Sequence, residues 1–408
     1  MINSFNMNTV NHLPQGWEYK KMPEVVKWGS GGTPKATESL YYENGTIPWL
    51  IIGDLNDGIV KTSATKITKL GLENSSAKLI PCGTLLIAMY GSIGKLGITG
   101  FECCTNQAIA YAQKLNGIDT MYLFYYLMMI KPKLVQMGKG GTQKNISQTV
   151  LNSLSIPLPP LPTQRAIVTR IETLFAELDK AVQHLRSAQQ QLKTYRQAVL
   201  KAAFEECDSY EKITNCFDVT GGLTKNSQRE KFPIKMPYLR VANVYYNRLD
   251  LSEIKEIGVQ ESEIKDKLLK KDDLLFVEGN GSKEQIGRVA IWNGSIENCL
   301  HQNHIIKGRP LGTMLSKFAL YYFISDFGRE QILKVASSTS GLYTLSTEKV
   351  RNLTIPSCPL AEQQRIVNEI ESRLSQATAS ETYIENALQQ AEALRQSILK
   401  KAFSGELV

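Results

Sequence analysis

Apolar residues return at alternating steps of four and three along one stretch of the chain: Ile167, Ile171, Leu174, Leu178, Ala181, Leu185, Ala188, Leu192, Tyr195 and Val199. Neither Pro nor Gly interrupts that stretch, and Ala, Gln, Leu, Glu and Lys dominate it, so the pattern predicts one long helix carrying a coiled-coil seam. The stretch occurs twice. Residues 155–204 and 354–403 align without a gap at an offset of about 199, with about 18 of some 50 positions identical. Both copies open on an Ile-Pro dipeptide and a proline-rich lead (Ile156, Pro157, Pro160, Leu161; Ile355, Pro356, Pro359, Leu360), continue through Gln164 and Gln363, and close on Ala203-Phe204 and Ala402-Phe403. In the second copy the same register gives Ile366, Ile370, Arg373, Ala377, Ser380, Ile384, Ala387, Ala391, Leu394 and Ile398, a weaker seam broken by Arg373 and Ser380.

Each seam needs a partner, and charge points to the other copy. Residues 151–205 carry about +3 and 354–408 about −2, so pairing one with the other is favoured over self-pairing. The alternative, two amphipathic helices each lying on its own domain, explains a sustained step of 3.5 less well.

Between the helices, short β-branched and apolar runs broken by Gly, Asn and Asp read as strands, and they too recur in order. Gly31-Gly32-Thr33-Pro34-Lys35 answers Gly221-Gly222-Leu223-Thr224-Lys225, Ile47 to Leu50 answers Met236 to Leu239, and Ile93 to Ile98 answers Ile286 to Ile291. Asn106-Gln107 answers His301-Gln302, and an aromatic helix, Tyr122 to Met129, answers Phe318 to Ser325. The predicted fold class is α+β: two similar mixed α/β globular domains separated by two long helices. The expected segments are 1–16, a lead-in; 17–150, the first domain; 151–205, a helical region; 206–350, the second domain; and 351–408, a second helical region.

Composition narrows the class. The chain has 408 residues, 42% hydrophobic and 21% charged, as in a globular protein of two or three domains. No apolar run reaches the roughly 18 residues of a membrane span, and Met1 to Leu13 lacks the features of a secretory signal. Seven cysteines without a CxxC spacing fit a reducing cytoplasm. The formal net charge of +8 makes an acidic partner plausible. Residues 1–150 hold about 14 lysines and no arginine, whereas 206–353 mix about 21 basic with 19 acidic residues, so a common plan carries two different surfaces.

From Leu13-Pro14 to Glu406-Leu407 the chain resembles the specificity (S) subunits of type I restriction-modification systems. The resemblance rests on "IPLPPLPTQRAIV" and "IPSCPLAEQQRIV" at the helix starts, "GSIGKLGI" and "IGRVAI" in the strand turns, and "GTQKNIS" and "GLYTLS" ahead of the helices. It implies a non-catalytic DNA reader of a bacterial or archaeal cytoplasm. Each globule would be a target recognition domain for one half of a split DNA site, and the helices an antiparallel coiled coil that spaces the readers and docks two methyltransferase (M) subunits. Restriction/translocase (R) subunits would complete the complex. No cofactor is expected in this chain; S-adenosylmethionine, ATP and magnesium would belong to the partners. A helix of about 40 residues is roughly 60 Å long, enough to space half-sites by a turn of DNA or more.

Glycine-bounded loops with Ser, Thr, Asn and Lys suit phosphates and base edges. The candidate DNA-binding residues are Lys35, Ser92, Lys95, Lys144 and Asn145 in the first domain, and Lys225, Asn280, Ser282, Lys283, Arg288, Tyr343 and Thr344 in the second. Lys95 and Arg288 occupy equivalent positions. Candidate partner-binding residues are Leu161, Ile167, Leu360 and Ile366, where the helices begin. Taken singly, each of the DNA-binding candidates also reads as a solvated surface charge or a turn residue.

Catalytic readings fail on their spacing. Gly91 to Leu96 lacks the upstream glycine and the Ser/Thr after lysine of a P-loop. No Asn/Asp-Pro-Pro-aromatic tetrad or strand-linked GxGxxG supports an adenine methyltransferase. Cys299, His301 and His304 lack a second cluster to complete a zinc site, and Glu253-x-Lys255 and Glu263-x-Lys265 sit in a run of alternating charge. Two further readings stay open at this stage: a specificity subunit whose partner fuses modification and cleavage, and an autonomous DNA-modifying enzyme.

Overall fold

A computed structural model describes residues 13–140, 144–280, 285–339 and 342–407. They form two compact units, one comprising the chain up to Leu185 together with the part from Asn386 onward, the other Arg186–Glu385. The long helices are Leu161–Phe204 and Leu360–Ser404, and each contributes to both units.

In the first unit a five-stranded sheet runs Val26–Ser30, Ile109–Leu115, Leu85–Ala88, Leu96–Thr99, Gly58–Val60; only the last pair is parallel. Leu85–Ala88 and Leu96–Thr99 are buried on every residue, the mark of strands covered on both faces. One cover is the helix Thr120–Met137, started by Asp119, whose carboxylate accepts the N–H of Met121 and Tyr122. The second unit repeats the plan with four strands, Phe217–Gly221, Ile305–Pro310, Leu274–Val277 and Val289–Ile291. Two shorter helices, Ser316–Ile324 and Asp326–Val335, replace the single one, divided at Ser325, whose hydroxyl caps the second. Each unit adds a three-stranded sheet: Lys66–Ile67, Ile47–Leu50, Cys104–Thr105 in the first, and Lys255–Val259, Ile234–Leu239, Leu300–His301 in the second.

The ladders shift two of the sequence matches by one residue. Trp49 and Leu50 pair with Cys104 and Thr105, as Tyr238 and Leu239 pair with Leu300 and His301, so His301 answers Thr105 rather than Asn106. Likewise Gly32 N–H bonds the Thr105 carbonyl where Leu223 N–H bonds that of His301, which makes Gly31 the counterpart of Gly222. Short polar strings align equally well in either register; hydrogen bonding decides.

Within each unit the long helices run antiparallel. In the first, Ile167 and Ile171 share a core with Leu399 and Phe403, and farther along Asp179 pairs with Arg395. In the second, Leu200 and Phe204 share a core with Ile366 and Ile370, and Arg196 bonds Glu381 at 2.9 Å and Thr378 at 3.0 Å. Phe403 closes on Tyr122 and Tyr126 with ring centroids 4.9 and 5.4 Å away, and Phe204 on Phe318 and Tyr322 at 5.3 and 5.4 Å. The seam departs from strict heptads at several points. Ala181, Tyr195, Arg373, Ser380 and Leu394 are exposed, while Phe175 is buried and Leu374 half-buried. An α-helix turns every 3.6 residues and here also packs on a domain, so its buried stripe drifts off the 3.5 step and widens.

Candidate nucleic-acid interface

Two segments far apart in sequence meet at the end of each unit's central sheet. In the first unit Tyr90, just beyond Leu85–Ala88, bridges Asn145, which also bridges Lys139; Gly91 N–H donates to the Lys144 carbonyl at 3.2 Å. In the second unit Gly279–Asn280 pairs with Leu342–Thr344, Gly279 facing Thr344 and Asn280 facing Tyr343, and Ser337–Thr339 pairs beyond them. The structure therefore brings Tyr90 and Gly91, next to Ser92 in the chain, together with Lys144 and Asn145, and Asn280 together with Tyr343 and Thr344. Ser282 and Lys283 lie outside the described residues. The two ribbons share a backbone pattern but not their side chains. Tyr90 occupies the place of Gly279, and Lys144 that of Tyr343. Tyr90 is 43% exposed, whereas Tyr343 is half-buried against its unit's core. Sequence reasoning missed Tyr90 and Lys139, whose only signal is long-range pairing.

Lys35, Lys144 and Lys225 are exposed and make no ion pair among the described residues, as suits cations facing a polyanion. Lys95 and Arg288 are placed differently. Lys95 Nζ donates to the Ile52 carbonyl at 3.3 Å, and Arg288 Nη2 to the Val241 carbonyl at 3.3 Å, in each case the first residue of a short 3₁₀ turn. Each turn is closed the same way, the Ile51 N–H donating to Asp54 at 2.8 Å and the Arg240 N–H to Asn243 at 2.8 Å. Gly94 and Gly287, immediately before the two cations, hold φ of +73° and +63°, which glycine adopts without strain. Arg288 is only 7% exposed and its guanidinium lies 5.2 Å from the Tyr245 ring. Through the Val241 carbonyl Arg288 braces the turn from within its own unit.

The partner-binding candidates separate similarly. Leu161 and Leu360 are 40% and 46% exposed, but Ile167 is fully buried and Ile366 nearly so, both packed inside the chain's own cores. The motifs that mimic enzymes serve the fold. Glu263 takes two hydrogen bonds from Arg229, at 2.8 and 3.1 Å, which hold its carboxyl below the usual range. Glu253 pairs with Arg240 at 3.1 Å. His301 is buried with Nδ1 2.9 Å from the Ile305 carbonyl; burial first, then nearby Lys307, Lys267 and Arg309, push its pKa down to about 3. Among the described residues no three His, Cys, Asp or Glu side chains converge to hold a metal, and no helix is long and apolar enough to cross a membrane.

The duplicated α/β frame, its paired helices and its open ribbons belong to a class of DNA-recognition proteins. Residues 14–185 and 210–390 match the type I restriction modification DNA specificity domain family, and the chain belongs to that family as a non-catalytic specificity subunit. It is 26% identical over 417 residues to the type I restriction enzyme EcoKI specificity subunit of Escherichia coli K12, covering 97% of this chain and 90% of that protein. It is 27% identical over 420 residues to the StySPI specificity subunit of Salmonella potsdam, with the same shares covered. Among solved structures, a chain from a type I R-M system superposes with a TM-score of 0.75 at 18% identity, covering 97% of this chain and 99% of its own. The HsdS subunit of Thermoanaerobacter tengcongensis gives 0.60 at 18% identity, covering 97% and 98%.

Proposed function

We propose that residues 17–150 and 206–350 each read one half of a bipartite DNA target, while the helical regions 151–205 and 351–408 set the gap between the halves and dock two methyltransferase subunits. The observation that carries this reading is the repeated ribbon: one backbone arrangement bearing Tyr90, Lys139, Lys144 and Asn145 in one unit and Asn280, Tyr343 and Thr344 in the other. A shared frame with different side chains suits two readers of different short sequences. Exposed Lys35, Lys144 and Lys225 would supply the salt-sensitive, sequence-independent part of binding. Methyl transfer from S-adenosylmethionine, and ATP-dependent cleavage by R subunits with magnesium, would be performed by the partners, and this chain would position DNA for them.

The test is co-expression with the methyltransferase encoded beside it, followed by single-molecule mapping of methylated adenines. The expected result is a split motif, two short defined halves around a fixed unspecified gap. Methyl transfer or cleavage by the purified chain alone, given S-adenosylmethionine or magnesium, would overturn the non-catalytic reading. A partner carrying both modification and cleavage in one polypeptide would place the chain in the related fused system.

A further inference from the structure

A partner that docks twice on one chain must meet the same surface twice. Single exposed hydrophobic side chains are ordinary on any protein and need no explanation. Recurrence of the same exposed side chain at equivalent points of two diverged units does need one.

Tyr19 lies in the two-stranded ribbon Glu18–Lys21 with Ser155–Leu158, directly opposite Pro157. Tyr210 lies in the ribbon Tyr210–Lys212 with Thr354–Pro356, directly opposite Pro356, the repeat counterpart of Pro157. The two tyrosines are 57% and 45% exposed. Four residues beyond each proline stands a second repeated apolar side chain at a helix start, Leu161 at 40% and Leu360 at 46% exposure. The residue after the tyrosine differs, Lys20 in one ribbon and Glu211 in the other, and the one after that is an exposed lysine in both, Lys21 and Lys212. Among the described residues the other exposed tyrosines are not repeated as tyrosines: Tyr90 faces a glycine counterpart, Gly279, Tyr195 answers Leu394, itself exposed, and Tyr383, 72% exposed, answers His184. The Tyr210 ring is also held, its centroid 6.3 Å from that of Tyr322. A ring already fixed loses little rotamer freedom on burial, and tyrosine is enriched among residues that dominate interfaces.

From this recurrence we infer that Tyr19 with Leu161, and Tyr210 with Leu360, are two copies of one docking anchor, each seating one methyltransferase subunit. The inference rests on the proposed function and adds the side chains that carry the contact. Unrepeated exposed groups such as Tyr90 then belong to the DNA-facing side, where the two units must differ.

The experiment uses the full chain co-purified with its methyltransferase, with subunit ratio measured by native mass spectrometry across a dilution series and the methylated motif mapped in parallel. Tyr19→Ala and Tyr210→Ala each weaken one of the two methyltransferase sites by about tenfold or more. A complex with one methyltransferase therefore accumulates on dilution, and the double variant loses both. Tyr19→Phe and Tyr210→Phe keep the ring and restore the two-to-one ratio, which separates docking from misfolding; unchanged unfolding midpoints of the alanine variants make the same separation. The bases of the motif stay as they were. Undiminished binding of both methyltransferase copies by the alanine variants would overturn the inference, as would a changed half-site with the subunit ratio intact. If the unsubstituted chain bound no methyltransferase, the proposed function itself would fail and this inference with it.

Discussion

The side chain of Gln164 is fully buried, and its Oε1 accepts the backbone N–H of Asp119 at 2.8 Å. Its Nε2 donates to the carbonyls of Gly117 and Pro159 at 3.0 and 2.8 Å, so one amide joins the start of a long helix to the residue that caps the aromatic helix. Gln363 repeats the device, accepting Leu315 N–H at 2.8 Å and donating to Thr313 and Cys358 at 3.2 and 2.8 Å. The orientation of each long helix on its globule is fixed by a polar clamp as well as by apolar packing.

Removing a clamp strands buried backbone groups on the globule. Gln363→Ala leaves the Leu315 N–H and two carbonyls without their partner, a cost of about 1–3 kcal/mol. Chemical denaturation should show loss of that size in the second unit with the first unit's transition unmoved, and Gln164→Ala should show the converse.

Phe204 and Phe403 test the antiparallel packing. Truncating Phe403 to Ala removes its contacts with Tyr122 and Tyr126 and should cost about 3–5 kcal/mol in the first unit. Hydrogen exchange would locate the loosening at the aromatic helix, more than 270 residues away in sequence.

The pH dependence follows from His301 and Lys307. His301 has a folded pKa lowered from 6.5 to about 3, so the unfolded chain binds the extra proton and stability falls as pH drops from 6.5 toward 3. The slope from this group reaches at most about 1.4 kcal/mol per pH unit. Lys307, nearly fully buried with Nζ 2.8 Å from the Asp266 carbonyl, is lowered from 10.5 to about 8, chiefly by desolvation. Between pH 8 and 10.5 the unfolded state again holds more protons, and stability rises with pH. His301→Gln should flatten the acid limb of the second unit's unfolding curve and leave the alkaline limb.

Arg288 and Lys144 should fail in different ways. Arg288→Ala loosens the turn at Val241 and lowers stability of the second unit. Lys144→Ala leaves stability alone, weakens DNA binding by the assembled complex and lowers the slope of log affinity against log salt by about one. Equal salt slopes for Lys144→Ala and the unsubstituted complex would remove Lys144 from the phosphate contacts.

The large-scale plan was legible because an internal repeat and an uninterrupted apolar periodicity survive without any knowledge of contacts. Pro-rich leads, Gln164 with Gln363, and Phe204 with Phe403 all announced themselves by recurrence. Side-chain destinations were less accessible. Arg288 and Lys95 look like exposed loop cations in sequence, and only the return of the chain at Val241 and Ile52 shows that both carbonyls lie within reach. Ile167 reads equally as seam or surface until Leu399 and Phe403 are seen beside it. Tyr90 carries no motif; its place comes from a pairing with Asn145 across 55 positions.

Two domains that read DNA independently on one frame should be exchangeable one at a time. The measurement that tests this most directly replaces residues 17–150 with the equivalent domain of another specificity subunit and maps adenine methylation by the complex with its methyltransferase. One half of the split motif should change while the other half and the gap stay the same. A change in both halves, or in the gap, would contradict that independence.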